Sequence, residues 1–208
     1  MNALRPAADD RTQRKIAAAL AQDVDTAFEP FVRAYQDRLF AYALNLTANP
    51  ALAEEVAQDT FVAAYRALRK YPPSRRRSLA LRAWLYTIAL NRVRNLARSP
   101  ASKVVSLDGR ATPDRQLAFQ LVEPGTGPAI QAEHHETLGE LRAALGRLDL
   151  RYRGAVVLRH IEGREYAEIS RVLGQPVGTV KSNVHRGLAL LRADLQRRGH
   201  AQRYSALG

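Results

Sequence analysis

Apolar residues recur along the chain at spacings of three and four, which predicts amphipathic helices. Phe28, Phe31, Tyr35, Leu39, Tyr42 and Leu46 repeat in this way and define a buried face. The capping-box pattern Thr26-x-x-Glu29 marks the start of that helix, with Pro30 close to the tolerated first turn. Asn49-Pro50 restarts a helix, Asn as N-cap and Pro at the first helical position. Along it Leu52, Val56, Thr60, Ala63 and Ala67 form the side that packs inward, while Glu55, Gln58, Asp59 and Val62 share another. Tyr71 to Ser78, YPPSRRRS, is a proline-marked break and predicts a loop. The next helix, about Leu79 to Arg98, buries Leu81, Leu85 and Ile88 and aligns Trp84, Thr87, Asn91, Arg94 and Arg98 on a separate stripe.

Ser99-Pro100 ends that helix, and Pro113, Pro124, Gly125, Gly127 and Pro128 interrupt any period as far as about Ile130. A structureless connection of about thirty residues is a linker between domains. Helix resumes near Ala132, with Leu138, Leu141, Leu145 and Leu148 as its apolar stripe, and Val156, Val157 and Ile161 continue the core. Then follow a short helical pattern with Tyr166, Ile169 and Leu173 inward, a Gly-Gln-Pro break, and a longer pattern burying Val177, Val180, Val184, Leu188, Leu191 and Leu195. Gly174 suits the left-handed residue that ends a helix, and Pro176 suits the start of the next. A short turn containing Gly is the helix-turn-helix connection. Thr179, Ser182, Asn183, His185 and Arg186 project away from the valine face with Lys181 at its edge, as in a helix that reads base edges from its N-terminal end. An ordinary amphipathic hairpin with a solvated polar face would share the spacing.

The resulting expectation is an all-α chain with an N-terminal extension (1–25), helical or mobile, a first helical domain (26–98), a linker (99–131), a second domain containing the helix-turn-helix (132–198), and a frayed tail (199–208). The 208 residues carry a formal net charge of +12 and a pI near 10.6. That balance favours an anionic partner, nucleic acid ahead of a membrane surface. The chain has no cysteine, which excludes disulfides, thiol redox chemistry and cysteine-bound zinc. The apolar run from Ile16 to Ala21 is too short for a signal-peptide core, and no run approaches the eighteen or so residues of a membrane span. A soluble, cytoplasmic protein without membrane insertion is expected. Glu133, His134, His135 and Glu136 superficially resemble metal ligands, but adjacent histidines point to different sides of a helix, so neither metal nor cofactor is expected.

An indole, polar groups and guanidinium groups on one stripe suit single-stranded nucleic acid, where bases stack and phosphates meet arginine; plain core packing is the competing role for Trp84. The stripe of Glu55, Gln58, Asp59 and Val62, taken alone, is a solvated acidic face.

The run from Leu148 to Leu195, especially EGREYAEISRVLG, PVGTVKS and HRGLALLR, resembles the promoter-reading C-terminal region of bacterial RNA polymerase sigma factors of the sigma-70 family, extracytoplasmic-function (ECF) group. AEEVAQDTF from Ala53 to Phe61 is similar to the family segment that docks on a coiled coil of the core enzyme, and RAWLYTIALNRVRNLAR resembles its promoter-melting and minus-ten-reading segments. The resemblance implies a non-enzymatic factor that binds core RNA polymerase and promoter DNA and directs initiation, with an anti-sigma factor as a further partner. It implies polymerase contacts at Glu55, Gln58, Asp59 and Val62. Minus-ten contacts fall at Trp84, Thr87, Asn91, Arg94, Asn95 and Arg98, and minus-thirty-five contacts at Thr179, Lys181, Ser182, Asn183, His185 and Arg186. Departures include Asn95 in place of a frequent aspartate, the Arg75–Arg77 cluster, Asp149 where proline usually follows leucine, Glu165 where serine often caps, and Asn183 where arginine is common. An autonomous helix-turn-helix regulator is the rival reading; it has no use for the Glu55 stripe. A helical nuclease would need a metal cluster or a convergent nucleophile and base, and none is evident.

Overall fold

The computed structural model describes residues 10–98 and 128–205, with side chains for 11–98 and 138–198. The described residues form helices and turns, with no strand among them. In chain order the helices are α1 (Asp10–Gln22), α2 (Val24–Thr47), α3 (Pro50–Lys70), α4 (Pro73–Ser78), α5 (Leu81–Arg98), α6 (Pro128–Arg147), α7 (Leu150–Val156), α8 (Tyr166–Leu173) and α9 (Val177–Ser205). One wider turn of π geometry, Val157–Ile161, follows α7. The expected linker lies outside the described residues up to 127, and α6 begins at Pro128 rather than near Ala132.

Residues 10–25 are more than an extension. α1 buries Ala17, Leu20 and Ala21 in the same core as Val24, Phe31, Ala64, Leu68, Leu81 and Leu85. α2 starts earlier than its Thr26 pattern predicted, because Asp23 caps it, accepting from Asp25 N–H at 2.9 Å and from Thr26 Oγ1 at 2.9 Å. Pro30 consequently lies inside the helix. The predicted α2 stripe is otherwise in place, with Phe31, Leu39, Tyr42 and Leu46 fully buried and Phe28 partly so. Asn49 caps α3 as expected, its Oδ1 accepting from Leu52 N–H at 3.2 Å. On α3 the buried side runs through Ala53, Val56, Ala57, Thr60, Ala64 and Leu68, one residue later at its C-terminal end than the expected Ala63 and Ala67. The YPPSRRRS segment is not all loop: Pro73 starts the short helix α4.

α6–α9 make the second module, in which α9 packs on α6, α7 and α8. Gly187 sets the approach of α9 to α7, since a Cβ there would lie 2.6 Å from Val156 Cγ2 and 3.2 Å from Tyr152 Cβ. The two modules also pack on each other, α2 against α6 and α7 and α5 against α8. Leu39, Tyr42, Leu46, Tyr86 and Leu90 of the first share one buried cluster with Leu145, Leu148, Val156, Leu158 and Leu173 of the second.

Candidate nucleic-acid interface

The helix-turn-helix is built by local bonds. Gly174 takes the left-handed conformation (φ 65°, ψ 36°) and its N–H donates to Ser170 O. Ser170 Oγ donates to Gln175 O at 2.5 Å, and Val180 N–H donates to Pro176 O at 3.0 Å. These bonds fix the angle at which α9 leaves the turn. Thr179, Lys181, Ser182, His185 and Arg186 are exposed on one side of α9, while Val180 and Val184 are buried on the other. Two expectations are corrected. Val177 remains 39% exposed, because the helix begins at that residue before its valine face meets the core. Asn183 is only 8% exposed, and its Nδ2 donates to Gln175 Oε1 at 3.0 Å. A buried amide needs a partner, and Gln175 of the turn supplies one, which draws Asn183 away from the reading face. Lys181 Nζ stands 5.6 Å from the Tyr166 ring centroid, at the edge of the face as its position implied.

Below the reading end, Arg147 of α6 holds Asp194 of α9 at 2.5 Å. That hydrogen bond, with Arg198 and Arg197 nearby, keeps the Asp194 carboxyl below its usual range. Arg186 and Arg192 are exposed on the same helix, so its outer side stays positive beyond the neutralised Asp194.

On α5 the predicted stripe divides. Asn91, Asn95 and Arg98 are exposed. Trp84 is half-buried, packed against the N-terminal core and 6.1 Å from the Tyr71 ring, so it joins packing to partial access. Thr87 Oγ1 donates back to Ala83 O at 2.8 Å, an internal bond that occupies its proton. Arg94 donates to Asn91 Oδ1 at 3.2 Å and reaches across the module boundary to Leu173 O at 3.4 Å. Tyr71 also carries Arg75, whose Cζ stands 3.8 Å from the ring centroid. The sequence reading missed this Arg75–Tyr71–Trp84 column; the aromatic two residues before the Pro72-Pro73 pair's end, followed by arginines, was its available signal.

The four expected polymerase contacts Glu55, Gln58, Asp59 and Val62 are all exposed on α3, Val62 by 47%. Asp59 pairs with Arg92 of α5 at 3.6 Å. Glu55, Val56, Asp59, Arg92, Asn95 and Leu96 line a shallow cleft of about 180 Å³. The cleft puts Asn95 of one predicted surface beside Glu55 and Asp59 of the other. Arg92 and Gln175 were not singled out in the sequence, since their roles arise only from the packing of α5 on α3 and of the turn on α9. Among the described residues no cluster of three or more metal-ligating side chains forms, and the Glu133–Glu136 side chains lie outside them.

Two family models match: Sigma-70 region 2 over residues 31–102 and Sigma-70, region 4 over 138–191. The ECF RNA polymerase sigma factor SigE of Mycolicibacterium smegmatis is 32% identical over 80% of this chain, which spans 60% of that protein's length. The RNA polymerase sigma factor CnrH of Cupriavidus metallidurans is 32% identical over 86% of this chain and 92% of its own. The solved structure of CnrH in complex with the cytosolic domain of CnrY superposes with a TM-score of 0.61 at 29% identity, covering 89% of this chain and 97% of CnrH. The sigma factor RpoE of Bartonella quintana, solved in complex with the anti-sigma factor NepR, gives a TM-score of 0.59 at 25% identity over 81% of this chain and 96% of its own. The chain belongs to the sigma-70 family, in its ECF group. Regions 2 and 4 of that family correspond to the α2–α5 and α6–α9 modules described above.

Proposed function

We propose that this chain binds core RNA polymerase through the exposed side of α3 and directs promoter-specific initiation, its exposed α9 residues reading the minus-thirty-five duplex and α5 taking the opened minus-ten strand. The observation that carries the reading is the coexistence, on one chain, of a helix-turn-helix and of a separate exposed stripe, Glu55, Gln58, Asp59 and Val62, that an autonomous DNA-binding regulator does not need. Carboxylates beside an apolar residue offer charge-assisted bonds to arginines of a partner. Of the expected duplex contacts, Thr179, Lys181, Ser182, His185 and Arg186 are retained; Asn183 is not, because of its burial. Thr87 contributes through its methyl face, its hydroxyl being bonded inward. The chain performs no covalent chemistry in this reading; the polymerase does. It acts in the cytoplasm, where its polymerase is, and among the described residues no helix is long and apolar enough to cross a membrane. An anti-sigma factor is a further partner, in keeping with the NepR complex of the related RpoE.

Asp59→Arg tests the polymerase contact. Asp59 and Arg92 are both substantially exposed, so the pair contributes about 0–1 kcal/mol and the fold tolerates the change. Loss of a charge pair at an interface costs about 2–5 kcal/mol, enough to abolish co-purification with core enzyme at micromolar concentrations. An Asp59→Arg protein that binds core enzyme as wild type does would remove this contact from α3.

A further inference from the structure

Gln175 is held in the turn by both its main chain and its side chain, yet one end of that side chain is unused. Its N–H donates to Ser170 O at 3.1 Å, and its carbonyl accepts from Ser170 Oγ at 2.5 Å. Its Oε1 accepts from Asn183 Nδ2 at 3.0 Å. Asn183 is 8% exposed, so packing fixes its amide, and that amide in turn fixes the amide of Gln175. A carboxamide carries an acceptor oxygen and an NH2 with two donors. With the oxygen facing Asn183, the Gln175 NH2 is turned away from it, and among the described residues this group donates to nothing. Gln175 is partly exposed.

The position of that NH2 follows from its partner. Asn183 shares a flank of α9 with Thr179, four residues before it, and Arg186, three after it, both of them exposed. Val180 and Val184 are buried on the other side. Gln175 is therefore pinned at the rim of the reading face, between its exposed residues and the core. The groove that admits a recognition helix is walled by phosphates, and glutamine side chains are among the donors that bind them. A glutamine that reads a base uses its oxygen and its NH2 together, on adenine. Here the oxygen is engaged by Asn183, which leaves a neutral donor, matched to a phosphate oxygen that can only accept.

We propose that Gln175 donates to a backbone phosphate beside the minus-thirty-five duplex, and that Asn183 is the positioning residue that turns its NH2 outward. Asn183 itself touches no DNA. The contact sets how α9 lies in the groove and carries no sequence information. Being uncharged, it neutralises no phosphate and releases no counterion, so the salt dependence of binding stays with the Lys and Arg contacts. This placement rests on the proposed reading of the duplex by α9.

Fluorescence anisotropy of the full-length chain on cognate and scrambled minus-thirty-five duplexes, over a salt series, tests both parts. Gln175→Ala should bind both duplexes about 5- to 10-fold more weakly, the loss of one hydrogen bond to a charged group, with the salt slope unchanged. A Lys or Arg phosphate contact would instead take about one from that slope. Asn183→Ala should weaken both duplexes to a similar extent, and it should have no further effect on affinity in the Gln175→Ala background, because its contribution runs through that amide. Gln175→Glu keeps an oxygen for Asn183 and puts a second carboxylate oxygen where the NH2 was. It should melt as wild type does and, with like charges opposed, bind both duplexes more than about tenfold more weakly. A fall in melting temperature for Gln175→Glu as large as that for Asn183→Ala would show that the amide faces the other way and overturn the proposal. Unchanged affinity of Gln175→Ala would overturn it too, as would a loss confined to the cognate duplex, which would make Gln175 a base reader. Additive affinity losses in the double variant would remove the positioning role of Asn183. Wild-type chain that binds the two duplexes equally would instead sink the assignment of α9 to the minus-thirty-five element, and this contact with it.

Discussion

Asn183 and Arg186 stand three residues apart on α9, yet the structure assigns them opposite consequences. Asn183 is buried and bonded to Gln175 at 3.0 Å, so Asn183→Ala removes a neutral hydrogen bond and some packing, about 1–2 kcal/mol. For a chain of this size each kcal/mol is about 2–4 °C in Tm, giving a fall of about 2–8 °C. Binding selectivity should survive, because the side chain faces the turn. Arg186 is exposed and has no structural partner to lose on the buried side of α9, so Arg186→Ala should leave stability within about 0.5 kcal/mol. Loss of a base contact costs about 1–3 kcal/mol, or about 5- to 160-fold in the ratio of cognate to scrambled minus-thirty-five duplex. Loss of a phosphate contact would weaken both duplexes alike and lower the salt slope by about one. Thermal melting of both variants, with fluorescence anisotropy on the two duplexes at fixed salt, separates these outcomes. An Asn183→Ala protein that melts with wild type and loses selectivity would refute the burial argument; equal losses on both duplexes for Arg186→Ala would refute base reading there.

Trp84→Ala should lose both packing and stacking, with about 1–3 kcal/mol per base from the latter; a template pre-melted by mismatches should partly restore run-off transcription, and a purely structural tryptophan would show no such rescue. Gly187→Ala should destabilise the second module by about 1–3 kcal/mol through overpacking, read by denaturant midpoint, because its Cβ would meet Val156 at 2.6 Å; an unchanged midpoint would show that α9 can shift at no cost. Burial raises the Glu162 carboxyl above its ordinary value near 4.5, against the opposing hydrogen bond from Tyr86 and the charges of Arg38, Arg164 and Arg82, with Tyr42 stacked on Tyr86. An acid with a raised pKa in the folded chain contributes stability fully below its ordinary value and loses that contribution as pH rises through the raised one. The melting temperature should therefore fall as pH rises across that window, and Glu162→Gln should flatten the dependence; an equally steep profile in the variant would assign it to another group.

Much of the fold is legible in the sequence where a local rule decides it. Asn49-Pro50 caps α3, Gly174 adopts the left-handed residue, and the Phe31–Leu46 stripe is buried as its spacing requires. Rules fail where two local readings compete or a distant partner intervenes. Pro72-Pro73 reads as a break, but a proline is equally at home at the first position of a helix, and α4 starts there. Ala63, Ala64 and Ala67 are alike to a hydrophobic pattern, so the α3 stripe drifts by one residue, and Leu68 rather than Ala67 reaches the core. Asn183 turns inward because Gln175 waits for it, and Arg94 is engaged by a carbonyl 79 residues away. Contacts of that range leave no periodic trace. The exposure of Glu55, Gln58, Asp59 and Val62 follows from helical geometry; their assignment to polymerase does not, and came from resemblance.

Run-off transcription by core RNA polymerase reconstituted with the purified full-length chain, on a promoter recovered by transcript mapping and on the same template with its minus-ten and minus-thirty-five elements scrambled, tests the central claim most directly. The account predicts a transcript of defined start that requires this chain, requires both elements, and disappears with Asp59→Arg while circular dichroism shows the helices intact. No chain-dependent transcript from the mapped promoter, with core enzyme shown to be active alongside another sigma factor, would contradict it.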